Sequence, residues 1–370
     1  MISSASRVFG LDVMRATALV LVVFWHSADA LCWFVPCGAL PPYMEGVDLF
    51  FVLSGYLIGG VLLKYAAMEG VSFRRRALDF WQRRWLRTLP NYYLFLVLNL
   101  VLVGTGITNG LVNHNAWGYA FFLQNVWKPV DLFFWESWSL VVEEWFYLLF
   151  PLALFSLLAL LRVPARTVFL VITLLFIALP TIERLLMADA VNSVFELEQG
   201  ARKLVITRLD TIGFGRLAAW LHAGFALRWR QVRVPLFLIG LVAMIANAYA
   251  YGNHALHYSA TWFFTVNGAA MALLLPLLST WKSVPRGGPV VVFISKVSYA
   301  LYLVHQPLRA IWNRLFWMRT PTEGVLLWIA YWVVGIALAW LVYRFWERRF
   351  MEMRDRIGKR VLAARITPSS

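Results

Sequence analysis

Apolar runs of bilayer-spanning length recur along this chain and constrain its fold more than any other feature. A transmembrane helix needs about 20 consecutive apolar residues, and 61% of the 370 residues are hydrophobic whereas 14% are charged. That composition excludes an ordinary soluble domain. The fold class that we predict is all-α, a polytopic membrane protein with a bundle of about ten transmembrane helices. The spans are expected at residues 11–31, 46–66, 91–109, 138–161, 167–187, 209–227, 234–250, 260–280, 294–315 and 324–346.

Ten spans place both termini of the chain on the same side of the membrane. The basic loops, among them 74–87 and 228–233, lie on that side. The positive-inside rule therefore makes it the cytoplasmic side. The apolar stretch 115–126 is too short to cross, so we expect it to be re-entrant or interfacial. Residues 1–346 then form one transmembrane domain, and residues 347–370 form a basic cytoplasmic tail. The net charge of +15 follows from this topology and from attraction to anionic membrane lipids, so it does not imply nucleic-acid binding.

The first span carries two ionisable residues, Arg15 and His26, in an otherwise apolar stretch. They are eleven positions apart, so their side chains share one helix face to within about 20° and lie roughly 16 Å apart along the helix axis. Ionisable groups are costly in hydrocarbon and usually face a protein interior or a wet cavity for functional reasons. The pair therefore predicts a functional site inside the bundle.

Residues on different spans can meet only where they lie at the same depth. Glu143 and Glu144 fall at a depth similar to that of His26, roughly 8 Å beneath the outer boundary by helical rise. These two carboxylates are adjacent and point about 100° apart, so at most one of them is expected to orient the His26 ring. Other ionisable groups also converge on the outer half: Asp48, Arg208, Asp210 and His305. The candidate catalytic residues are His26, Arg15, Glu143, Glu144 and Asp48.

The inner mouth of the bundle is expected to be cationic, because Arg84 and Arg87 lie one turn apart at the level of Arg15. One helix face connects this cationic mouth with a histidine. That arrangement favours an elongated anionic ligand that enters from the cytosol, and acyl-CoA has that shape. Arginine suits bidentate phosphate contacts, so these three residues would bind the donor. His26 would then be the general base toward an acceptor hydroxyl, or a transient acyl carrier.

Several of these residues also allow a structural role in place of a catalytic or donor-binding one. Arg84 and Arg87 also fit as anchors on lipid phosphates, Asp48 as an ion-pair partner of a neighbouring helix, and His305 as a structural or acceptor-side residue. A second function, a transporter or flippase for a glycan or lipid-linked intermediate, would use buried ionisable groups as a proton or substrate path. No inverted repeat supports it. The six scattered histidines show no ligand spacing, so no metal is expected.

The blocks that carry these residues resemble, in the same order, those of the membrane-bound acyltransferase-3 family. They are LDVMRATALVLVVFWH, EGVDLFFVLSGYLIGG, WQRRWLRTLPNYY, WSLVVEEWFYLLFP, RLDTIGFGRLAAWL and ISKVSYALYLVHQPL, within residues 9–350. The resemblance implies a multi-pass protein of the bacterial inner membrane. It implies transfer of an acyl group, most commonly acetyl, from acyl-CoA to a hydroxyl of a carbohydrate such as polysaccharide, lipopolysaccharide or a lipid-linked glycan. By that match His26 and Arg15 are the essential pair, supported by Glu143 and Glu144.

Two features depart from the common family pattern. Trp145 stands where glutamine is frequent. We also expect the chain to lack the hydrolase-like domain that some members append, and the membrane domain itself to handle the acceptor. Trp135 and Trp138, at the outer mouth, fit an interfacial belt or a sugar-stacking surface. The two cysteines, Cys32 and Cys37, lie at the outer end of the first span and in the first outer loop, where they either pair or remain free thiols.

Overall fold

A computed structural model describes residues 7–32, 34, 46–68, 70–128, 133–253 and 256–366. The described residues are predominantly helical and contain no strand. Cys37 lies outside them, and with it the expectation about cysteine pairing. The first helices are α1 (Phe9–Ser27), α2 (Gly46–Ala66), α3 (Phe73–Gly104), α4 (Trp117–Ala120) and α5 (Ser137–Leu160).

The second half of the chain is also built from helices, several of them short. They are α6 (Ala165–Met187), α7 (Val194–Gln199), α8 (Val205–Gly224), α9 (Ala226–Gln231), α10 (Arg233–Asn253), α11 (Leu256–Thr261), α12 (Phe263–Ala272) and α13 (Leu275–Leu278). The last three are α14 (Gly288–Leu315), α15 (Pro321–Val342) and α16 (Arg348–Ile366). The predicted basic tail is therefore largely helical in the part that the structure describes.

Eight helices of the described chain are long and apolar enough to cross a bilayer, which confirms the prediction of an all-α polytopic membrane protein. They are α1, α2, α3, α5, α6, α10, α14 and α15. Two of the ten predicted spans differ from this pattern. Residues 209–227 fall mainly in α8, which is long enough but carries three buried charges, Arg208, Asp210 and Arg216. Residues 260–280 are divided among α11, α12 and α13, with Pro276 in the first turn of α13.

Helix α3 begins eighteen residues before the predicted third span, 91–109. The side chain of Ser72 caps it by accepting a hydrogen bond from the Arg75 backbone N–H at 3.4 Å. With 32 residues the helix is about 48 Å long. The arginine-rich first half of α3 is too polar for hydropathy to identify it as part of a span. It nevertheless forms one continuous helix with the apolar second half.

The stretch 115–126 does not form a span. It contains α4 and turns that pack on the neighbouring helices. The carbonyl oxygen of Tyr119 accepts a hydrogen bond from the Tyr92 hydroxyl of α3 at 2.7 Å, and Trp145 of α5 donates to the carbonyl oxygen of Phe122 at 2.7 Å. Trp145, where the family commonly has glutamine, thus holds this segment in place.

Helices α2 and α8 approach each other closely because glycines face each other across the interface. A Cβ atom at Gly55 would lie 2.1 Å from the carbonyl oxygen of Ile212, and one at Gly215 would lie 2.0 Å from that of Val52. Small residues allow such close backbone contact in helical membrane bundles. This packing fixes α2 against the helix that carries the buried charges.

Candidate active site

Helices α1 and α14 bring His26 and His305 together. His26 Nδ1 lies 3.1 Å from His305 Nε2, and the His305 side chain is completely buried. On the same face of α1, Arg15 Nη1 lies 3.5 Å from the hydroxyl of Ser295 on α14. Both residues therefore contact one helix, as their eleven-residue spacing predicts.

The hydrogen bonds of His305 determine which nitrogen of each ring carries a proton. His305 Nδ1 contacts the carbonyl oxygen of Tyr302, and because a carbonyl oxygen only accepts, that nitrogen must be the donor. In a neutral His305 the Nε2 atom is then bare and accepts a hydrogen bond from His26 Nδ1–H. The remaining nitrogen of a neutral His26, Nε2, keeps its lone pair. It is the atom that could take a proton from a hydroxyl.

Arg15 is held by an anion on its own helix. Asp12 Oδ1 lies 4.0 Å from Arg15 Nη1 and accepts hydrogen bonds from the Ser295 hydroxyl at 2.7 Å and from Arg7 Nη2 at 2.9 Å. The Arg15 side chain remains 20% exposed, which leaves part of its guanidinium facing an internal space. One carboxylate thus positions this arginine without covering it.

That internal space, the central cavity, lies between α1, α2, α3, α5 and α14 and encloses about 120 Å³. Its charged lining consists of three arginines, Arg15, Arg84 and Arg87, and one carboxylate, Glu143. Much of the remaining wall is apolar or aromatic, including Phe50, Phe51, Leu57, Ile58 and Leu140. The cavity therefore combines an excess of positive charge with a wall suited to an apolar chain.

The two carboxylates of α5 both contact α3. Glu143 Oε2 lies 3.4 Å from Arg84 Nη2, and Glu144 Oε1 accepts a hydrogen bond from the Thr88 hydroxyl at 2.6 Å. Arg84 also donates to the hydroxyl of Tyr147. The expected carboxylate partner of His26 is thus not found at either residue; the His26 ring instead donates its hydrogen bond to His305.

The contact between Arg84 and Glu143 also corrects the predicted depths of these residues. Arg84 and Arg87 were expected at the inner mouth and Glu143 in the outer half, which would have kept them apart. Because α3 begins at Phe73, Arg84 lies eleven residues, about 16 Å, into the helix. The cationic group is therefore inside the bundle, where Glu143 and Tyr147 contact one of its members.

Asp48 belongs to a different network. Its carboxylate accepts a hydrogen bond from Arg208 of α8 and another from Asn267 of α12 at 2.8 Å. Asp48 and Arg208 are completely buried. Their pairing corresponds to the structural alternative for Asp48 and does not support a catalytic role, since both carboxylate oxygens are occupied by neighbouring helices.

The central cavity stops short of His26, contrary to the expectation of one passage from Arg15 to the imidazole. Phe50 and Tyr302 belong to its wall and are edge to face, with ring centroids 6.2 Å apart. The Tyr302 ring is also 5.6 Å from the His305 ring. The aromatic side chain of Tyr302 therefore lies between the cavity and the histidine pair.

From the sequence, His305 is expected to have only a structural or acceptor-side role. The signal that points to the contact is depth, because the sequence places both His305 and His26 in the outer half of their spans.

The two tryptophans that could stack on a sugar differ in exposure. Trp138 is 8% exposed and lies in the core, whereas Trp135 is 49% exposed. Within the described residues no group of His, Cys, Asp and Glu could hold a metal ion.

The chain is similar to a known protein family and to several named proteins. Residues 8–344 match the model of the acyltransferase-3 family, which is described as an acyltransferase domain. The chain is 28% identical over 320 residues to a Staphylococcus aureus (strain COL) protein named "Putative O-acetyltransferase SACOL0978", an alignment that covers 80% of this chain and 50% of that protein. It is 27% identical over 324 residues to "O-acetyltransferase OatA" of Staphylococcus aureus (strain NCTC 8325 / PS 47), with 81% and 50% covered. The chain spans about half the length of these relatives. No solved structure matches it.

Proposed function

Because this chain belongs to the acyltransferase-3 family, we propose that it is a membrane-embedded O-acyltransferase that moves an acyl group from acyl-CoA to a hydroxyl of a carbohydrate. Acetyl is the acyl group that we propose, because the relatives are named O-acetyltransferases. The observation that carries the proposal is the hydrogen-bonded pair His26 and His305 beside a cationic cavity. We further propose that the membrane is the bacterial inner membrane.

The donor is proposed to enter the central cavity from the predicted cytoplasmic side. The cavity of about 120 Å³ is small compared with typical ligand pockets of about 300–1,000 Å³. It suits the thin arm that carries the thioester better than the nucleotide of CoA. Arginine binds phosphate well, and the three arginines supply the charge for the phosphates from which that arm extends. Movement of Tyr302 or Phe50 would then connect the cavity with His26.

In the proposed reaction His26 Nε2 takes the proton of the acceptor hydroxyl while that oxygen forms a bond to the thioester carbonyl carbon. The carbon–sulfur bond breaks, and the thiolate of CoA receives the proton from the imidazolium. The products are the acyl ester and CoA. His305 accepts from His26 Nδ1–H throughout and holds the ring, which is the orienting role that a third residue has in a catalytic triad.

Arg87 offers a direct test of donor binding. Arg87 lines the cavity and makes no hydrogen bond or ion pair with any described residue, whereas Arg84 already contacts Glu143 and Tyr147. Arg87→Ala should raise the dissociation constant for acetyl-CoA by about tenfold to hundredfold, as expected for loss of a hydrogen bond to a charged group. Equilibrium binding of radiolabelled acetyl-CoA to the protein in detergent measures it.

Arg83→Ala is the matched control, because Arg83 is an exposed arginine on the same helix and its loss removes the same charge. It should leave the dissociation constant unchanged. Unchanged binding in Arg87→Ala and also in Arg84→Ala would remove both residues from the donor site.

His305 is tested by two replacements that differ in hydrogen bonding. His305→Phe removes the acceptor for His26 Nδ1–H and should lower the rate of transfer by about a hundredfold, the order of loss that a misplacement of about 1 Å causes. His305→Gln keeps an acceptor oxygen and should lose less. The limb of the pH–rate profile that reports the base should shift in the Phe variant more than in the Gln variant. Equal losses with an unchanged profile would show that His305 only fills space.

A further inference from the structure

A second cavity, the outer cavity, lies on the predicted outer side next to the histidine pair. It encloses about 480 Å³ between the end of α3, the segment before α5 and the second half of α14. Gln306 of its lining follows His305 directly, and Arg309 follows one turn later. Arg309 pairs with Asp29, which lies three residues beyond His26. The outer cavity is therefore lined by the helix that carries His305, and one of its lining residues contacts the segment that follows α1.

Two buried oxygen atoms of the outer cavity's lining residues have no hydrogen-bond partner within the described parts of the chain. They are Glu136 Oε1 and Thr108 Oγ1. The Glu136 residue is only 5% exposed, and its backbone carbonyl oxygen accepts a hydrogen bond from the Tyr302 hydroxyl at 3.0 Å. Buried polar atoms without partners are rare in native structures and call for a ligand, water or ion. Both atoms thus retain an unused hydrogen-bonding capacity at the wall of the cavity, which hydroxyl groups of a ligand would satisfy.

Both cationic side chains of the outer cavity are already occupied. Arg309 is paired with Asp29, and Arg314 donates to the carbonyl oxygens of Gly106 and Ile107. An anionic ligand would therefore find no free cation among the described lining residues. Trp135 also lines the cavity and is half exposed, which provides a flat apolar surface beside polar groups.

These observations together favour a neutral ligand rich in hydroxyl groups. We propose that the outer cavity binds the carbohydrate acceptor, with Glu136 and Thr108 hydrogen-bonded to its hydroxyl groups and Trp135 stacked on a sugar ring. This inference rests on the proposed O-acyltransferase function and names the place and the chemistry of its second substrate. It also assigns a substrate contact to Glu136, a residue that none of the sequence patterns singled out.

The protonation state of Glu136 fits this role. Glu136 precedes the membrane helix α5, and burial raises its pKa to about 8. At neutral pH its carboxyl group is therefore mostly protonated and can both donate and accept a hydrogen bond, and it loses the donor as the pH rises through 8. The other ionisable groups around it are Arg309, Arg314 and Tyr302 of α14 and Tyr331 of α15.

The experiment compares two rates for each variant. The first is hydrolysis of radiolabelled acetyl-CoA by the purified protein without acceptor. The second is the rate at which base-labile acetyl ester accumulates on surface glycans of cells that produce the protein, measured by mass spectrometry at matched protein levels. In Trp135→Ala and Glu136→Leu we expect the ratio of glycan acetylation to hydrolysis to fall at least tenfold. Trp127→Ala, at an exposed tryptophan (76%) outside the cavity, should leave the ratio unchanged.

Glu136→Gln adds a signature that a purely structural role would not give. Membrane vesicles made from the same cells and supplied with acetyl-CoA allow transfer to the endogenous glycan to be followed against pH. The native protein should lose transfer above pH 8, whereas the Gln variant, which cannot ionise, should show no such loss. An unchanged ratio in both Trp135→Ala and Glu136→Leu, or a parallel fall of both rates, would overturn the proposal. Absence of acetyl-CoA hydrolysis and of glycan acetylation in the unaltered protein would instead refute the proposed function itself.

Discussion

His26→Ala is expected to lower the rate of acyl transfer by about 10²- to 10⁴-fold, the range that a positioned general base contributes. The reason is that His26 Nε2 carries the lone pair that no hydrogen bond of the histidine pair uses, since His26 Nδ1 donates to His305 Nε2 at 3.1 Å. Transfer of radiolabel from acetyl-CoA to glycan by membranes that contain the variant measures the loss. Binding of acetyl-CoA should change little, because His26 does not line the central cavity.

His257→Ala is the control for this experiment, because His257 is an exposed histidine on α11 and lies far along the chain from the pair. It should retain full activity. If His26→Ala transferred acetyl at the native rate, the catalytic assignment would fail and the histidine pair would be a contact between α1 and α14.

The two roles left open for His26 can be separated by trapping. A transient acyl carrier would hold radiolabel on the protein when acceptor is absent, and hydroxylamine would release it. A general base would leave the protein unlabelled while still supporting transfer. Both roles use the same nitrogen, so His26→Ala alone does not distinguish them.

Asp48→Ala is expected to destabilise the protein by about 3–5 kcal/mol, because it leaves the buried guanidinium of Arg208 without its carboxylate. Asp48 also accepts a hydrogen bond from Asn267 at 2.8 Å, so the change affects contacts among α2, α8 and α12. Thermal unfolding in detergent, followed by tryptophan fluorescence, measures the effect. Replacing both partners, as in Asp48→Leu with Arg208→Leu, should recover part of the loss, since no charge is then left buried.

Glu352→Ala provides the comparison at the surface. Its ion pair with Arg348 measures 2.8 Å, but both side chains are about half exposed, and such pairs contribute about 0–1 kcal/mol. A normal unfolding temperature in Asp48→Ala together with a large loss of acyl transfer would contradict the structural role and restore Asp48 to the catalytic group.

Much of the fold could be predicted from the sequence because the apolar runs are long and their period is regular. Helices α5, α6 and α14 end where the hydropathy pattern ends, within a few residues. The prediction was less accurate where charge is buried. Helix α8 carries Arg208, Asp210 and Arg216, and the first half of α3 carries Arg84, which pairs with Glu143 inside the bundle. The ion-pair partners of Arg208, Asp210 and Arg84 lie on other helices, and no local pattern reveals them.

The shared face of Arg15 and His26 was predictable, since it depends only on helical periodicity. The partner of His26 was not, because it required knowing which helix packs on α1 and at what height. Depths counted from the predicted span boundaries put Arg84 and Glu143 at different heights in the membrane. The cause is the start of α3, which lies eighteen residues before the predicted start of the third span. Glu136 gave no signal at all, since a carboxyl beside two tryptophans at a helix start is ordinary at a membrane surface.

Two of the contacts between α1 and α14, Arg15 with Ser295 and His26 with His305, lie eleven residues apart on α1 and ten residues apart on α14. The same interface therefore fixes the height of both groups, and a slip of one helix against the other would displace them in concert. Chimeras between relatives would accordingly need to exchange α1 and α14 as a matched set. A hybrid with only one of the two exchanged would inherit a register suited to neither parent.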